Sequence, residues 1–421
     1  MKKTKALKTE IIAVGSELLS PFFQDSNSLY ITKCLNDLGM EVIFKTIVGD
    51  DETAINQVFK TALKRSDFII AMGGLGPTRD DLTRETLAKT IGKDLIFDDA
   101  VLNKIKQRFK QRGLSMPPVN EKQAYIINGA EVIENHHGTA PGQWIKTDGS
   151  IIILLPGPPH ELYPMLDNFV IPRLREHSFY FSVRRVLKIT GLTESKVESL
   201  ITNAYSKNPA VNINTLAYPG QIEIHIKVRS SRSQLEALSL LDQQEQLFSD
   251  LLGENIFSTG GEELEEVIGN LLRSKKKTLA TAESCTGGLL SHRLTNIPGS
   301  SDYYLEGAVV YSNEAKIRQL SVPEEKITRY GAVSKEVAAS MAKGIVQKSG
   351  ADFGLAVTGI AGPGGGTSDK PVGLVFIGLA WHDGVSMTKN IFLGQRDIVK
   401  FQSSQKALDM LRHFLLSNRK K

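Results

Sequence analysis

The sequence predicts an α/β protein with two three-layer α/β/α domains, at residues 1–175 and 258–421, joined by a small α+β domain at residues 176–257. Three observations support this prediction. The 421 residues are too many for one ordinary hydrophobic core. In the first and last segments, short apolar runs alternate with amphipathic helical patterns, which is typical of parallel sheets covered by helices on both faces. The middle segment carries longer strands in which polar and apolar residues alternate.

In the first segment, strands and helices follow each other in regular order. Residues 26–39 have apolar side chains at the spacing of a helix that ends at Gly39. The predicted strands are TEIIAV (9–14), EVIFKTIV (41–48), FIIAM (68–72) and IIILLP (151–156). Three of them lead into the loops GSE, GGLGPTRDD and PGPPHE. Ligands of such sheets bind at the carboxyl ends of the strands, so these loops predict a ligand site.

The middle segment combines the strands VRRVLKITG (183–191) and GQIEIHIKVRSS (220–231) with helices at residues 194–204 and 233–252. This layout resembles a KH domain. It lacks the GxxG loop with which KH domains clamp a nucleic-acid backbone. We therefore expect this domain to have a structural or dimerising role.

The last segment returns to the alternation of strands and helices. Helices are predicted at residues 262–274 and 287–295 and after Ser334, which has the position of an N-cap. The predicted strands are TLATA (278–282), YLEGAVVYS (304–312), FGLAVTG (353–359), VGLVFIGLAW (372–381) and SMTKNIFLG (386–394).

Composition narrows the class of protein. Charged residues make up 23% of the chain and its net charge is only +5, so bulk charge does not favour nucleic-acid binding. No apolar run reaches the ~20 residues that span a bilayer, and the N-terminus does not resemble a secretory signal. The two cysteines, Cys34 and Cys285, have no disulfide or metal-site spacing. We expect a soluble cytoplasmic protein without membrane contact.

The stretch AESCTGG (282–288) contains three candidate nucleophiles in a row. A reactive Cys285 would need a base at about 3 Å. His292, seven residues later on the predicted helix, lies roughly 10 Å away. The glycines and the start of a helix suit an anion, although the lysine of a Walker loop is missing. We interpret the stretch as a substrate-binding loop in which Cys285 is a packing residue.

Two further motifs compete for the chemistry. PGSS (298–301) presents Ser301 in a turn, and YSNEAK (311–316) places Lys316 at the start of a helix. A serine activated by a neutral lysine is an amidase arrangement, but a simple turn and a surface lysine fit the same residues. The glycine-rich strand exit TGIAGPGGG (358–366) would bring backbone amides to a ligand, and Arg396 in GQRD suits a phosphate.

These motifs, together with GAVS (331–334) and KPVG (370–373), occur in the order and spacing of the nicotinamide mononucleotide deamidase domain. GSELL, QDSNS, GGLGPTRDD and LPGPPHEL resemble the MoaB/MogA-like domain of the CinA family (competence/damage-inducible protein A). The whole chain therefore resembles this family. The resemblance implies hydrolysis of nicotinamide mononucleotide to nicotinate mononucleotide and ammonia, without a cofactor.

By the family's pattern, Ser301 is the nucleophile, Lys316 is its base and Thr358 supports the pair. The residues that the resemblance assigns to the substrate are Ser284, Thr286, Gly287, Tyr311, Asn313, Gly359 and Arg396, the last of them on the phosphate.

For the N-terminal domain, the resemblance implies hydrolysis of ADP-ribose to AMP and ribose 5-phosphate with a divalent metal such as Mg, Mn or Co. The expected metal ligands are Asp25 and Asp81. The residues expected around the nucleotide are Glu17, Asn27, Gly73, Gly74, Gly76, Thr78, Pro156 and Gly157. Asp80 and Asp81 fit a helix N-cap equally well. The chain departs from the family at Ser20–Phe23, where bulky side chains replace small ones and would alter the pocket.

Two alternatives remain open. The chain could be a nucleotide- or molybdopterin-binding protein linked to competence or DNA repair, with one or both sites inactive. The pyrophosphatase chemistry could also act on other nucleotides, such as coenzyme A or FAD. We expect the partners to be small nucleotides and the protein to be a homodimer, because both the MoaB-like domain and the middle domain suggest dimer formation.

Overall fold

A computed structural model describes residues 7–177 and 180–417 of the protein. By internal contacts the chain divides into two compact units. The first comprises residues 1–183 and 228–238, and the second comprises residues 184–227 and 239–421.

The N-terminal part alternates strands with helices, as predicted. Its strands are β1 (Lys8–Val14), β2 (Glu41–Val48), β3 (Phe68–Met72), β4 (Leu95–Phe97), β5 (Tyr125–Ile127), β6 (Glu131–Ile133), β7 (Gly142–Lys146) and β8 (Ile151–Leu155). Its helices are α1 (Ser26–Asp37), α2 (Glu52–Leu63), α3 (Thr83–Ile91), α4 (Asp99–Gln111), α5 (Pro159–Met165) and α6 (Ile171–His177).

The main N-terminal sheet has the strand order β2-β1-β3-β8-β7-β6. Its first four strands are parallel, whereas β7 runs antiparallel to both of its neighbours, β8 and β6. The four strands predicted from the sequence are the parallel ones, whereas β6 and β7 were not predicted. Strand β7 runs antiparallel to β8 because the four residues that join them are too few for a crossover. Neighbouring residues such as Ile69 and Ile70 belong to separate hydrophobic clusters, so both faces of the sheet are covered.

The middle part forms the four-stranded sheet β10-β11-β9-β12. Its elements are β9 (Phe181–Ile189), α7 (Glu194–Ile201), β10 (Val211–Tyr218), β11 (Gln221–Ser230), α8 (Gln234–Leu252) and β12 (Ile256–Ser258).

The C-terminal part is a second layered α/β domain. Its strands are β13 (Leu279–Glu283), β14 (Tyr304–Val309), β15 (Phe353–Gly359), β16 (Leu374–Trp381) and β17 (Gly384–Ile391). Its helices are α9 (Leu264–Lys275), α10 (Leu289–Thr295), α11 (Asn313–Leu320), α12 (Glu324–Tyr330), α13 (Lys335–Ser349) and α14 (Arg396–Ser417).

The C-terminal sheet has the order β14-β13-β15-β16-β17. The strands β14, β13 and β15 are parallel, so their carboxyl ends share one edge of the sheet. The strands β16 and β17 run antiparallel because a two-residue turn joins them. Leu355 and Ala356 pack in different clusters on the two faces, which confirms the predicted three layers. Among the described residues, no helix is long and apolar enough to span a membrane.

Helix α13 packs so closely against the end of α11 that it has no room for a side chain at Gly344. A Cβ atom on Gly344 would lie 2.1 Å from the carbonyl oxygen of Leu320, whereas a Cβ atom on Gly364 would meet no atom within 4 Å. We expect Gly344→Ala to lower the free energy of unfolding by about 1–3 kcal/mol, because overpacking outweighs the better helix propensity of alanine. Gly364→Ala is the control and should change it by less than about 0.5 kcal/mol. Denaturant unfolding measures both, and a stabilised Gly344→Ala would contradict this packing.

Candidate active site

Lys316 is a buried charged side chain at the carboxyl edge of the C-terminal sheet, with 1% of its surface exposed. Its Nζ donates to Ser284 Oγ at 3.2 Å and to the carbonyl oxygens of Val310 and Tyr311, both at 3.0 Å. A fourth contact reaches the carbonyl of Ser312 at 3.4 Å. Burial lowers the pKa of Lys316. An amine that is easily neutral and within reach of a buried hydroxyl can act as a general base.

Ser284 is held at the end of β13. Its backbone N–H donates to the carbonyl of Val357 at 2.9 Å, which continues the pairing of β13 with β15. The side chain is 8% exposed. Two glycines follow with left-handed φ values, +62° at Gly287 and +96° at Gly288, a conformation that other residues adopt with strain. The loop therefore turns sharply while Ser284 stays fixed beside Lys316.

The structure does not bring the predicted pair Ser301 and Lys316 together. Ser301 is exposed, in the short 3-10 helix Ser300–Asp302 that precedes β14. Lys316 follows the other end of that strand. The six residues of β14 separate the two by on the order of 20 Å at about 3.3 Å per residue. The hydroxyl that contacts Lys316 belongs to Ser284, which the resemblance had assigned to substrate binding.

The carboxylate of Glu283 occupies the amides that were expected to hold an anion. It accepts hydrogen bonds from the backbone N–H groups of Gly288 and Leu290 at 3.0 Å and of Ser291 at 2.8 Å. The side chain is completely buried. The backbone N–H groups at the start of α10 therefore already have an acceptor within the chain. They are not available to an anionic ligand, contrary to what the sequence had led us to expect.

The structure favours the interpretation of Cys285 as a packing residue. The side chain is buried in the C-terminal core, and burial raises the pKa of its thiol to about 12. The ring of His292 contacts Asn296 at 3.1 Å. A thiol that stays protonated is a poor nucleophile.

The buried threonines of the site differ in their contacts. Thr358 Oγ1 donates to the carbonyl of Ala332 at 2.9 Å, so it holds the loop before α13. The hydroxyl of Thr286 is buried without a hydrogen-bond partner in the described part of the chain. An unpaired buried hydroxyl is costly, which makes Thr286 a candidate ligand contact. Gly359 closes β15 next to Thr358.

Arg396 begins α14 and links two loops of the site. Its guanidinium donates to the carbonyl of Gly362 at 2.8 Å and to the hydroxyl of Tyr311 at 3.0 Å. Within residues 7–177 and 180–417, no carboxylate pairs with it. Asn313 is exposed as the first residue of α11, capped by Ser312. Tyr311 thus lies between β14 and α11, and Asn313 and Lys316 lie at the start of α11.

The ten residues predicted for the N-terminal site line one cavity of about 740 Å³. They are Glu17, Asp25, Asn27, Gly73, Gly74, Gly76, Thr78, Asp81, Pro156 and Gly157. Phe23 also lines this cavity, and most of its ring is exposed, whereas Phe22 does not line it.

The aspartates of this cavity have structural contacts. Asp25 accepts from the backbone N–H of Ser28 at 2.9 Å and so caps α1. Asp81 accepts from the N–H and the hydroxyl of Thr78 at 2.8 and 2.7 Å. Helix α3 begins after Leu82 without a side-chain cap, so the alternative of Asp80 or Asp81 as its N-cap is wrong.

The described residues do not form a preformed metal site. No group of three or more His, Cys, Asp or Glu side chains within them is close enough to hold a metal ion. Asp25 and Asp81 line the same cavity but each directs an oxygen at the backbone. The donor set as arranged does not fit the expected divalent metal.

Two residues were missed from the sequence: Glu161, which lines the N-terminal cavity, and Lys122, which contacts two of its lining residues. Lys122 Nζ donates to the carbonyls of Thr78 and Asp81 at 2.9 and 2.5 Å, and thereby holds the GPTRDD turn. Glu161 lines the cavity and accepts from Asn135 at 2.6 Å. Its position in the PGPPHE loop was a usable signal. Lys122 had none, because its contacts lie about forty residues away in sequence.

Comparison with known families assigns three domains along the chain. Residues 10–176 match a probable molybdopterin binding domain, 184–258 match the KH domain of damage-inducible protein CinA, and 261–415 match the CinA C-terminal domain.

Two relatives are similar to this chain over nearly its whole length. A CinA-like protein of Koribacter versatilis is 44% identical over 97% of this chain and 99% of its own length. A putative competence-damage inducible protein of Caldicellulosiruptor saccharolyticus is 43% identical over 98% of this chain and 100% of its own length. A solved structure, the competence/damage inducible protein of Agrobacterium tumefaciens, is 41% identical over 36% of this chain and 92% of that chain, with a TM-score of 0.35. The three domain matches and the full-length identity show that this chain belongs to the CinA family.

Proposed function

We propose that the C-terminal domain is an amidohydrolase that converts nicotinamide mononucleotide to nicotinate mononucleotide and ammonia. The observation that carries this proposal is the buried contact of 3.2 Å between Lys316 Nζ and Ser284 Oγ. The pair resembles the serine–lysine arrangement of amidases, in which a lysine of lowered pKa activates the hydroxyl.

In the proposed reaction, Ser284 Oγ attacks the carboxamide carbon while Lys316 accepts the hydroxyl proton. Lys316 then gives that proton to the departing nitrogen, so ammonia leaves and an acyl ester remains on Ser284. Water, deprotonated by the same amine, cleaves the ester and releases the acid, and Lys316 returns that proton to Ser284 Oγ. The carbonyls of Val310 and Tyr311 stabilise the ammonium that forms at each transfer.

The surroundings of the pair suit a pyridine mononucleotide. Arg396 offers a guanidinium without a carboxylate partner in the described chain, which can bind the phosphate in a bidentate manner. The unpaired hydroxyl of Thr286 is close in sequence to Ser284 and is available to the ligand. The substrate's own pyridinium charge activates its carboxamide.

Substitution of the two serines tests which of them is the nucleophile. We expect Ser284→Ala to lower ammonia release from nicotinamide mononucleotide by roughly 10³-fold or more, because the acyl ester cannot form. Ser301→Ala and Cys285→Ala are the matched controls and should keep most of the activity. Circular dichroism verifies folding of each variant. An active Ser284→Ala together with an inactive Ser301→Ala would instead support the pairing implied by the family's pattern.

The pH dependence tests Lys316 as the base. Only the neutral amine accepts a proton, so kcat/KM should rise with pH and level off above the pKa of Lys316. Because burial lowers this pKa, the midpoint should lie below the ordinary lysine value of 10.5. Lys316→Gln should abolish this limb with the activity, and Lys326→Gln should leave the profile unchanged. A wild-type profile without this limb would argue against Lys316 as the base.

We also propose that the N-terminal cavity hydrolyses ADP-ribose to AMP and ribose 5-phosphate. The supporting observation is the convergence of glycine-rich strand ends, Asn27 and Asp81 on one cavity. Asn27 has a buried side-chain oxygen without a partner in the described residues, so it can accept a hydrogen bond from a ligand. Since the carboxylates do not fit a preformed metal site, no step is assigned to a metal here.

Asp81 and its neighbour Asp80 provide a matched pair for this second proposal. Asp81→Asn should reduce ADP-ribose turnover at least about tenfold, because it weakens the turn around Thr78. Asp80→Asn should have little effect. Release of AMP is measured with Mg, Mn and Co in turn, and with FAD and coenzyme A as rival substrates. If the protein binds these nucleotides but hydrolyses neither them nor nicotinamide mononucleotide, it is a binding protein rather than an enzyme.

A further inference from the structure

A cleft of about 1470 Å³ lies next to Arg396 within the second unit of the chain. Its walls come from the β10–β11 turn, the loop at residues 361–363 and the first two turns of α14. Pockets for one small ligand usually measure about 300–1,000 Å³, so a mononucleotide would leave much of this cleft empty. Neither Ser284 nor Lys316 lines this cleft. Arg396 lines it and also contacts Tyr311 of the candidate active site.

Two cations without carboxylate partners face this cleft. Arg396 and Lys400 are one turn apart on α14, and neither forms an ion pair in the part of the chain that the structure describes. Lys400 Nζ lies 3.8 Å from the position of a Cβ atom on Gly287, which places it beside the AESCTGG loop. The cleft therefore has positive charge at the end that adjoins the Ser284 loop.

Carboxylates also line the cleft, but most are compensated. Glu263 pairs with Lys188 at 2.5 Å, and Glu223 lies 3.7 Å from the same ammonium and 2.9 Å from the ring of His225. Asp397 is exposed at the start of α14. An anionic ligand would thus be drawn towards Arg396 and Lys400 rather than towards the Glu263 end.

The β10–β11 turn gives the cleft a flat aromatic surface in addition to the two cations. Tyr218 is 49% exposed, and its ring stacks on no other aromatic ring among the described residues. The turn is anchored, because Gln405 of α14 donates to the side chain of Gln221 at 3.2 Å and both are buried. Phe401 lines the same cleft from α14. A planar base can stack on such rings.

We infer that this cleft binds the second, base-bearing half of a pyridine dinucleotide, with its pyrophosphate at Arg396 and Lys400 and its base against Tyr218. The inference rests on the proposed function for the position of the pyridine half and for the phosphate at Arg396. The bound dinucleotide excludes nicotinamide mononucleotide from the site at Ser284. The middle domain thereby contributes a specificity-determining residue to the C-terminal site.

The experiment uses the full chain and oxidised nicotinamide adenine dinucleotide as the probe. Calorimetry should show binding to the wild type, and the dinucleotide should raise KM for nicotinamide mononucleotide without changing kcat. Tyr218→Ala should weaken dinucleotide binding about tenfold, the effect of losing one base–ring stack, while KM and kcat for the mononucleotide stay unchanged. Tyr330→Ala removes a similarly exposed tyrosine of the same unit that does not line the cleft, and should match the wild type.

The outcomes separate this inference from the proposed function. Equal dinucleotide affinity in the wild type and Tyr218→Ala, or no binding by the wild type, would overturn the inference while deamidation persists. Binding that depends on Tyr218 in a protein without deamidase activity would support the cleft and refute the proposed function. If Tyr218→Ala fails to fold, Lys400→Gln replaces it and should weaken dinucleotide binding several-fold. Unchanged affinity in that variant would also overturn the inference.

Discussion

The C-terminal site depends on one buried amine and the acceptors that surround it. Burial disfavours the ammonium form of Lys316, whereas Ser284 and the carbonyls of Val310 and Tyr311 give its hydrogens partners. These acceptors come from the ends of β13 and β14, whose parallel register pairs Glu283 with Val309. A shift of that register would separate the amine from the hydroxyl. The packed clusters on both faces of the sheet are therefore what keep the site assembled.

Much of the fold could be predicted because its strands and helices carry strong local patterns, and the N-cap role of Ser334 was correct in detail. The antiparallel strand pairs were missed, since direction depends on connection length rather than on composition. The partner of Lys316 could have been found: YLEGAVVYS was recognised as a strand, and Ser301 and Lys316 stand at its opposite ends. Long-range contacts such as those of Lys122 leave no local signal.

The two α/β domains place their candidate sites in the same topological position but equip them differently. In the C-terminal domain, the edge of the sheet carries an enclosed amine–hydroxyl pair. In the N-terminal domain, it carries an open, glycine-lined cavity whose aspartates are occupied by the backbone. The two sheets have a similar strand order, but the side chains at their candidate sites differ because these side chains come from the loops and not from the sheet.

The buried carboxylate of Glu283 lowers the free-energy cost of ordering the protein when a ligand binds. It accepts hydrogen bonds from three backbone amides at the start of α10, that of the N-cap Gly288 included, and from the hydroxyl of Ser291. A helix start that relied on the ligand's phosphate for these bonds would become ordered only on binding, and that ordering would subtract from affinity. Here Glu283 already makes these bonds, so the free energy of a ligand contact goes into affinity and orientation rather than into ordering this loop.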